Sequence, residues 1–244
     1  MTLILIPARL AATRLPGKPL ALIGAVPMIV HVLRRAEAAG IGPVAVACGD
    51  AEIAQVVTDA GGHAIMTDPD LPSGSDRVHA ALAALDPAGA HELVINLQGD
   101  LPDLPPDFLH AVLTPLADRS VDIATLVAPV MSAEEAEAAS VVKAVCAWGP
   151  GGATGRALYF SRAAIPAGAG PRWHHVGLYA YRRAALARFV ALPPSALERQ
   201  EKLEQLRALE AGMVIGVARV DHAPFGVDTP EDLARARARH AAAA

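Results

Sequence analysis

The stretch "TLILIPARLAATRLPGKPL", residues 2–20, decides how the chain is read. Its opening is a continuous apolar run, which reads as a strand buried on both faces, as strands are when helices cover a parallel sheet from either side. Past Pro7 the character changes: Arg9, Arg14 and Lys18 follow, with Pro16, Gly17 and Pro19 among them. In an open α/β sheet ligands bind outside the carboxyl ends of the strands, so the loop after a first strand is a candidate site on topology alone. Glycine lets backbone N–H groups approach an anion, proline limits the loop's freedom, and arginine and lysine neutralise phosphate charge. A polyphosphate suits that composition. The plain alternative is a solvated basic loop, the ordinary state of Lys and Arg.

The familiar phosphate-binding fingerprints do not fit. No G-x-G-x-x-G follows the strand, and Gly17-Lys18 lacks both the earlier glycine, where Ala12 stands, and the Ser/Thr, where Pro19 stands.

Outward from this stretch, short apolar runs alternate with amphipathic segments. Strands are predicted at 3–6, 43–48, 63–66 and 93–97, and helices at 27–39, 51–60, 75–85 and 106–116, a βαβ series. The second half is more mixed. "DIATLVAPV", "SVVKAVCAW", "RALYFS", "HHVGLYAY" and "MVIGVARV" read as strands, residues 197–210 as a helix, and a last helix starts at Pro230. "GPGGATG" reads as a hairpin connection, residues 166–171 as a mobile loop, and the final "HAAAA" as a frayed tail.

Bulk properties agree with one α/β enzyme-sized body. A chain of 244 residues buries enough surface to need no disulfide staples. It is 53% hydrophobic but only 4% aromatic, which favours a helix-rich α/β protein over an all-β one. The formal net charge of -4 argues against nucleic acid as a partner, because such binders need a basic face. Cys48 and Cys146 have no metal-type spacing and read as buried free thiols of a reducing compartment, so a cytoplasmic location is expected. The run at 3–6 is too short for a signal-peptide core, and no apolar stretch reaches bilayer length, so no membrane partner is expected.

Two carboxylates at opposite ends of the chain draw the argument together. In "VINLQGDLP", Asp100 stands where a buried strand runs out, well placed to hold a hard cation while substrate phosphates supply the remaining ligands; otherwise it caps a turn. In "GVDTPEDL", Thr229, Pro230, Glu231 and Asp232 make a strong helix start, and Asp228 precedes the cap without being needed for it.

The motifs "IPARLAATRLPGKPL", "PMIVHVLRRA", "PSGSDR", "INLQGDLP", "ALYFSR", "HHVGLYAYR", "LEQLR" and "GVDTPEDL" occur in the order of the 3-deoxy-manno-octulosonate cytidylyltransferases, the CMP-Kdo synthetases, which the chain resembles along essentially its whole length. The resemblance implies a three-layer, Rossmann-like nucleotidyltransferase fold with a mostly parallel mixed sheet. It comprises a nucleotide half at 1–117 and a sugar-binding and dimerisation half at 118–244, without a true linker. It implies that CTP and Mg²⁺ activate Kdo as CMP-Kdo, with release of pyrophosphate, for lipopolysaccharide synthesis, in a homodimer. Carried over by position, Arg9, Arg14 and Lys18 grip the triphosphate, Asp100 and Asp228 hold magnesium, and these five form the catalytic set. Ala8, Pro72, Ser73, Gly74, Asp76, Arg77 and Gln98 join the nucleotide pocket. Gln98, Arg162, His175, Tyr179, Glu204 and Gln205 surround the sugar, with Arg162 chosen for its carboxylate.

The chemistry suits these residue types. The anomeric hydroxyl of Kdo attacks the α-phosphate, and alignment with charge neutralisation supplies most of the acceleration; no covalent nucleophile is required. Plain readings stand beside several assignments. Arg162 is a surface cation after a strand, His175 a satisfied structural histidine, and Glu204 and Gln205 are solvated neighbours of a leucine stripe. The sequence departs from the family pattern at Leu101, where a glutamate is usual, and at Leu71, where a histidine is. Alternatives are a cytidylyltransferase for another acidic sugar (an 8-amino-Kdo or an acylneuraminate) and, from other classes, an oxidoreductase or a non-catalytic nucleotide sensor.

Overall fold

The computed structural model describes residues 1–11 and 14–243; Ala12 and Thr13 of the cationic loop, and Ala244 of the predicted tail, lie outside the described residues. The chain divides into two compact units, Met1–Leu109 with Pro224–Ala244, and His110–Ala223. The C-terminal segment therefore belongs with the N-terminal one, whereas the sequence reading grouped it with the second half.

The first unit opens with β1 (Thr2–Ala8), a short hairpin of β2 (Leu22–Ile23) and β3 (Val26–Pro27), and α1 (Met28–Ala38). It continues through β4 (Val44–Cys48), α2 (Ala51–Asp59), β5 (Ala64–Met66), α3 (Gly74–Leu85), β6 (Leu93–Asn96) and α4 (Asp107–Ala111). The four longer strands are parallel in the order β5-β4-β1-β6. Leu3, Ile4, Leu5 and Ile6 of β1 are all fully buried, as a strand covered on both faces requires. From β1 the chain steps outward through β4 to β5 and then crosses back to β6. Right-handed crossovers put α1 and α2 on one face and α3 on the other, which makes the three layers.

The second unit contains β7 (Ile123–Pro129), α5 (Ala133–Glu137), β8 (Lys143–Trp148), β9 (Thr154–Ser161) and β10 (Trp173–Arg182). After these come α6 (Arg183–Ala191), α7 (Ala196–Glu201), α8 (Leu206–Glu210) and β11 (Ile215–Arg219). Its strands run in the order β10-β7-β11-β9-β8, and β8 pairs again with β10, so this sheet closes on itself. Parallel β7–β11 pairing among antiparallel neighbours makes it mixed. The glycine-rich run joins β8 to β9 as a hairpin, with Gly149 N–H donating to Thr154 O at 3.0 Å. The last helix, α9 (Pro230–Ala243), returns to the first unit and carries most of the predicted tail as ordered helix.

Several elements differ from expectation for identifiable reasons. The helix predicted over 106–116 stops at Ala111 and resumes as a 3₁₀ turn at Thr114–Ala117, where Pro115 has no N–H to offer. The helix predicted over 197–210 is two pieces. A capping box of Ser195 and Glu198 starts α7, and Lys202, at φ 56° and ψ 47°, ends it in the left-handed region before α8 begins. Helix α5 and the β2–β3 hairpin are too short to show a period, and α6, whose Leu186 and Phe189 do lie on one buried face, is not among the predicted helices. Cys146 is half-buried, not buried like Cys48, and burial pushes both thiols up to about 12. Among the described residues no helix is long and apolar enough to cross a membrane.

A side chain at Lys202 costs backbone energy that glycine would not. Lys202→Gly is expected to raise stability by about 0.5–1 kcal/mol, the left-handed penalty less glycine's extra unfolded-state entropy, measured as a shift in urea midpoint.

Candidate active site

In the first unit the winding direction reverses between β1 and β6, and the carboxyl ends of two strands that lead in opposite directions open a crevice there. A cavity of about 320 Å³ lies at that point. Pro7, Ala8 and Arg9 enter it from the end of β1, Gln98, Gly99 and Asp100 from the end of β6, and Ser73, Gly74 and Arg77 from the start of α3. Arg14, Lys18 and Asp228 complete its charged wall. Among the described residues Pro72 and Asp76 do not line it.

The charged groups are arranged around one ammonium. Lys18 Nζ donates to Asp100 Oδ2 at 2.9 Å and to Asp228 Oδ1 at 3.0 Å, bringing together residues 82 and 210 positions away in the chain. Arg14 Nη2 lies 3.1 Å from the other oxygen of Asp228. Burial pulls the Lys18 ammonium down, and the two carboxylates more than offset it, so its pKa is raised and it stays charged. Arg9 is exposed at the rim. Gly17, at φ 68°, supplies the left-handed turn that starts the 3₁₀ turn Lys18–Leu20.

Local anchors explain why these side chains are held. Asp232 Oδ2 accepts from the N–H groups of Asp228 and Thr229 at 3.2 and 3.1 Å and from the Thr229 hydroxyl at 2.9 Å, while Thr229 Oγ1 accepts from Asp232 N–H. This reciprocal cap leaves the Asp228 carboxylate to the lysine. Val227 N–H donates to Asp100 O at 2.9 Å, fixing the two aspartates' backbones to one another. Ser73 caps α3 by accepting from Asp76 N–H and donates its hydroxyl to the Asp76 carboxylate at 2.6 Å, so Asp76 acts on the helix start. Arg77 is buried and directs its guanidinium at Thr67 Oγ1, Asp68 O and Pro69 O, bracing the segment before α3. Gln98 Nε2 donates to Asn96 Oδ1 at 3.1 Å. Leu101 is buried and lies near Gly226, an apolar place in which a glutamate's charge would be desolvated.

The residues expected around the sugar, apart from Gln98, lie in the second unit. His175 is buried in β10, paired with Val127 of β7 just before a bulge that falls between Val176 and Tyr179. Its Nε2 lies 3.0 Å from Thr125 Oγ1, and that hydroxyl also meets Val176 O and Leu178 O at 3.0 and 2.9 Å. A hydroxyl that donates to those carbonyls accepts from an Nε2–H tautomer. Burial lowers the His175 pKa to about 3. The Tyr179 ring lies tilted beside it, at 5.5 Å between ring centroids, and burial with Tyr181 and Glu204 nearby pushes its phenol well above 10. Gln205 is buried, and its Nε2 has no hydrogen-bond partner among the described residues. Arg162 turns its donors to Glu201 O, Ala139 O and Lys202 O, and the Glu201 carboxylate accepts from Ser161 Oγ and Arg162 N–H. That geometry ties the end of β9 to α7.

Sequence reasoning missed Glu201, Thr125 and Asp50. Asp50, two residues past the end of β4, had a usable signal in its place beyond a strand's carboxyl end. Nothing local marks Glu201 or Thr125, whose partners are 40 and 50 or more residues away.

The cytidylyltransferase family profile matches residues 3–215. A 3-deoxy-manno-octulosonate cytidylyltransferase of Rhodopseudomonas palustris (strain BisB18) is 65% identical over 240 residues, covering 97% of this chain and 96% of its own. Another of the same name, from Rhodospirillum centenum (strain ATCC 51521 / SW), is 63% identical over 236 residues, covering 97% and 92%. A solved structure of CMP:2-keto-3-deoxy-manno-octonic acid synthetase in complex with CTP superposes with a TM-score of 0.89 at 40% identity, covering 100% of this chain and 99% of that one. A nucleotidyl transferase from Methanothermobacter, at 14% identity and a TM-score of 0.61, shares the fold.

His175 makes stability depend on pH in a defined window. Its folded pKa lies below the ordinary 6.5, so the contribution from keeping it neutral is complete above pH 6.5 and is lost as pH falls toward about 3, where the folded protein also takes up the proton. Lowering the pH from about 7.5 to about 5 is expected to depress the thermal midpoint of the wild type more than that of His175→Gln, with a slope difference of up to about 1.4 kcal/mol per pH unit.

Proposed function

The chain belongs to the cytidylyltransferase family, and from that premise we infer that it transfers CMP from CTP to 3-deoxy-D-manno-octulosonate (Kdo), giving CMP-Kdo and pyrophosphate. The observation that carries this reading is the cation-lined cavity at the switch point, where two carboxylates remote in sequence converge on Lys18. Whole-chain similarity to named Kdo cytidylyltransferases selects the sugar.

The residues present fit a magnesium ion. Two carboxylate oxygens converge on a single cationic nitrogen, so they can equally face a small hard cation. Among the described residues no cluster of three or more His, Cys, Asp or Glu could enclose a metal, which leaves the remaining positions to phosphate oxygens and water, the usual arrangement for Mg²⁺ on a nucleotide. Asp100 and Asp228 would hold the ion, and its chemistry when bound is to neutralise charge on the phosphates.

The protein's own groups do the rest. Arg9 and Arg14, both exposed at the cavity, offer planar guanidinium donors to the β- and γ-phosphates. In the free protein Lys18 is neutralised by Asp100 and Asp228; a bound triphosphate offers its ammonium a competing anion beside the bond that breaks. The Kdo hydroxyl oxygen forms the new bond to the α-phosphorus, the bond to the bridging oxygen of pyrophosphate breaks, and the hydroxyl proton passes to solvent or phosphate. A fixed positive charge next to the departing pyrophosphate is what Lys18 contributes. Within the second unit, the resemblance assigns Tyr179, Glu204 and Gln205 to the sugar, and the buried Gln205 amide has no hydrogen-bond partner among the described residues. Arg162, committed to three carbonyls, supports the corner from which these residues come.

Pyrophosphate release from purified protein is expected to require CTP, Kdo and Mg²⁺ together. Release with Kdo absent, or only with another sugar acid, would overturn the substrate. Asp100→Ala and Asp228→Ala are each expected to lower turnover by about 10²-fold or more with little change in thermal midpoint, because the Val227 to Asp100 link is made by backbone atoms. Lys18→Ala should lower kcat more than it raises KM for CTP, since its charge is most needed as pyrophosphate leaves.

A further inference from the structure

Asp50 occupies the N-cap position of α2, with extended backbone at φ -136° and ψ 140°, yet its side chain makes no capping hydrogen bond. An aspartate there ordinarily accepts from an N–H of its own first helical turn. Here Oδ2 instead accepts from the Leu10 N–H at 2.7 Å, across 40 residues. The bond falls where backbone pairing runs out: the β1–β4 ladder ends at Ala8 and Cys48, and Gly49 N–H donates to Ala8 O at 2.9 Å just beyond it. Asp50 thus continues the tie between the two segments with a carboxylate, past the end of the ladder.

The residue it holds is a knot. While Leu10 N–H is taken by Asp50, Leu10 O accepts from Gly17 N–H at 3.3 Å, closing the loop at the point where the turn carrying Lys18 begins. Arg9 precedes Leu10 and Lys18 follows Gly17, so both cations project from backbone whose place depends on this pair of bonds. We propose that Asp50 is a positioning residue for CTP: by anchoring Leu10 it sets the backbone from which Arg9 and Lys18 reach the triphosphate. The proposal rests on the reading of the cavity as the CTP site.

A rival role for Asp50 is charge balance, because it lies within electrostatic reach of Arg77, which in turn feels Arg9. Substitutions separate the two roles. Asp50→Asn keeps an acceptor oxygen and loses the charge; Asp50→Ala loses both. Asp50→Ser can still cap α2 but is too short to reach Leu10, so it guards against an alanine variant that fails to fold.

CTP binding would be measured by calorimetry, and kcat and KM for CTP by pyrophosphate release, with thermal midpoints recorded in parallel. Expected is a rise of about tenfold or more in Kd and KM for CTP in Asp50→Ala and Asp50→Ser, with KM for Kdo near its wild-type value and midpoints within a few degrees, while Asp50→Asn recovers most of the CTP affinity. Unchanged CTP affinity in the serine variant, or an asparagine variant as impaired as alanine, would overturn the anchoring role. If the wild type itself did not bind CTP, the reading of the cavity would fall, and with it the premise of the proposal.

Discussion

The first unit depends on β1 being apolar on both faces and pairing on both edges. Leu3 to Ile6 expose nothing, so helices must cover the sheet from either side, and parallel neighbours on both edges leave the strand central. Once β1 is central, the chain must leave in one direction and later return on the other side of it. That reversal opens a crevice at the carboxyl ends of β1 and β6, where the charged residues of the cavity gather.

A crevice lined by Arg9, Arg14 and Lys18 needs counter-charge when no anion is bound. Asp100 and Asp228 supply it, and Lys18 is held to both at hydrogen-bonding distance. Such partly buried pairs are worth modest stability by themselves, because desolvation offsets much of their attraction. Their consequence is chemical: a cation and two carboxylates are kept at one point, in geometry suited to phosphates and a metal ion. The caps that hold these groups are ordinary devices, Ser73 with Asp76 and Thr229 with Asp232, used to start helices whose ends border the site.

Most elements of the first unit could be read from sequence because periodicity and breakers agree there: strand, proline or glycine, amphipathic helix. Reading failed where a local rule was broken by one residue, as at Lys202 in the left-handed region or Pro115 inside an otherwise helical pattern. Within the site, Arg9, Lys18 and Asp100 were legible by residue type and place after a strand. Asp50 was not singled out, since an aspartate before a helix normally means a cap and only the fold shows that its bond goes to Leu10. His175 and Arg162 carry the types expected of ligands, yet their hydrogen bonds are made to Thr125 and to backbone carbonyls respectively.

The α/β class, the longer strands and the helices of the first hundred residues, and the cationic loop with two aspartates at motif positions are all legible in the amino-acid order. These follow from periodicity, composition and local turn chemistry, which act over a few residues. That Asp228 returns to the unit of Asp100, that both meet Lys18, and that the second sheet closes through β8 and β10 is visible in the folded chain alone. Such contacts join residues from about 30 to more than 200 positions apart, and strand order and chain return, which have no local signature, bring them together.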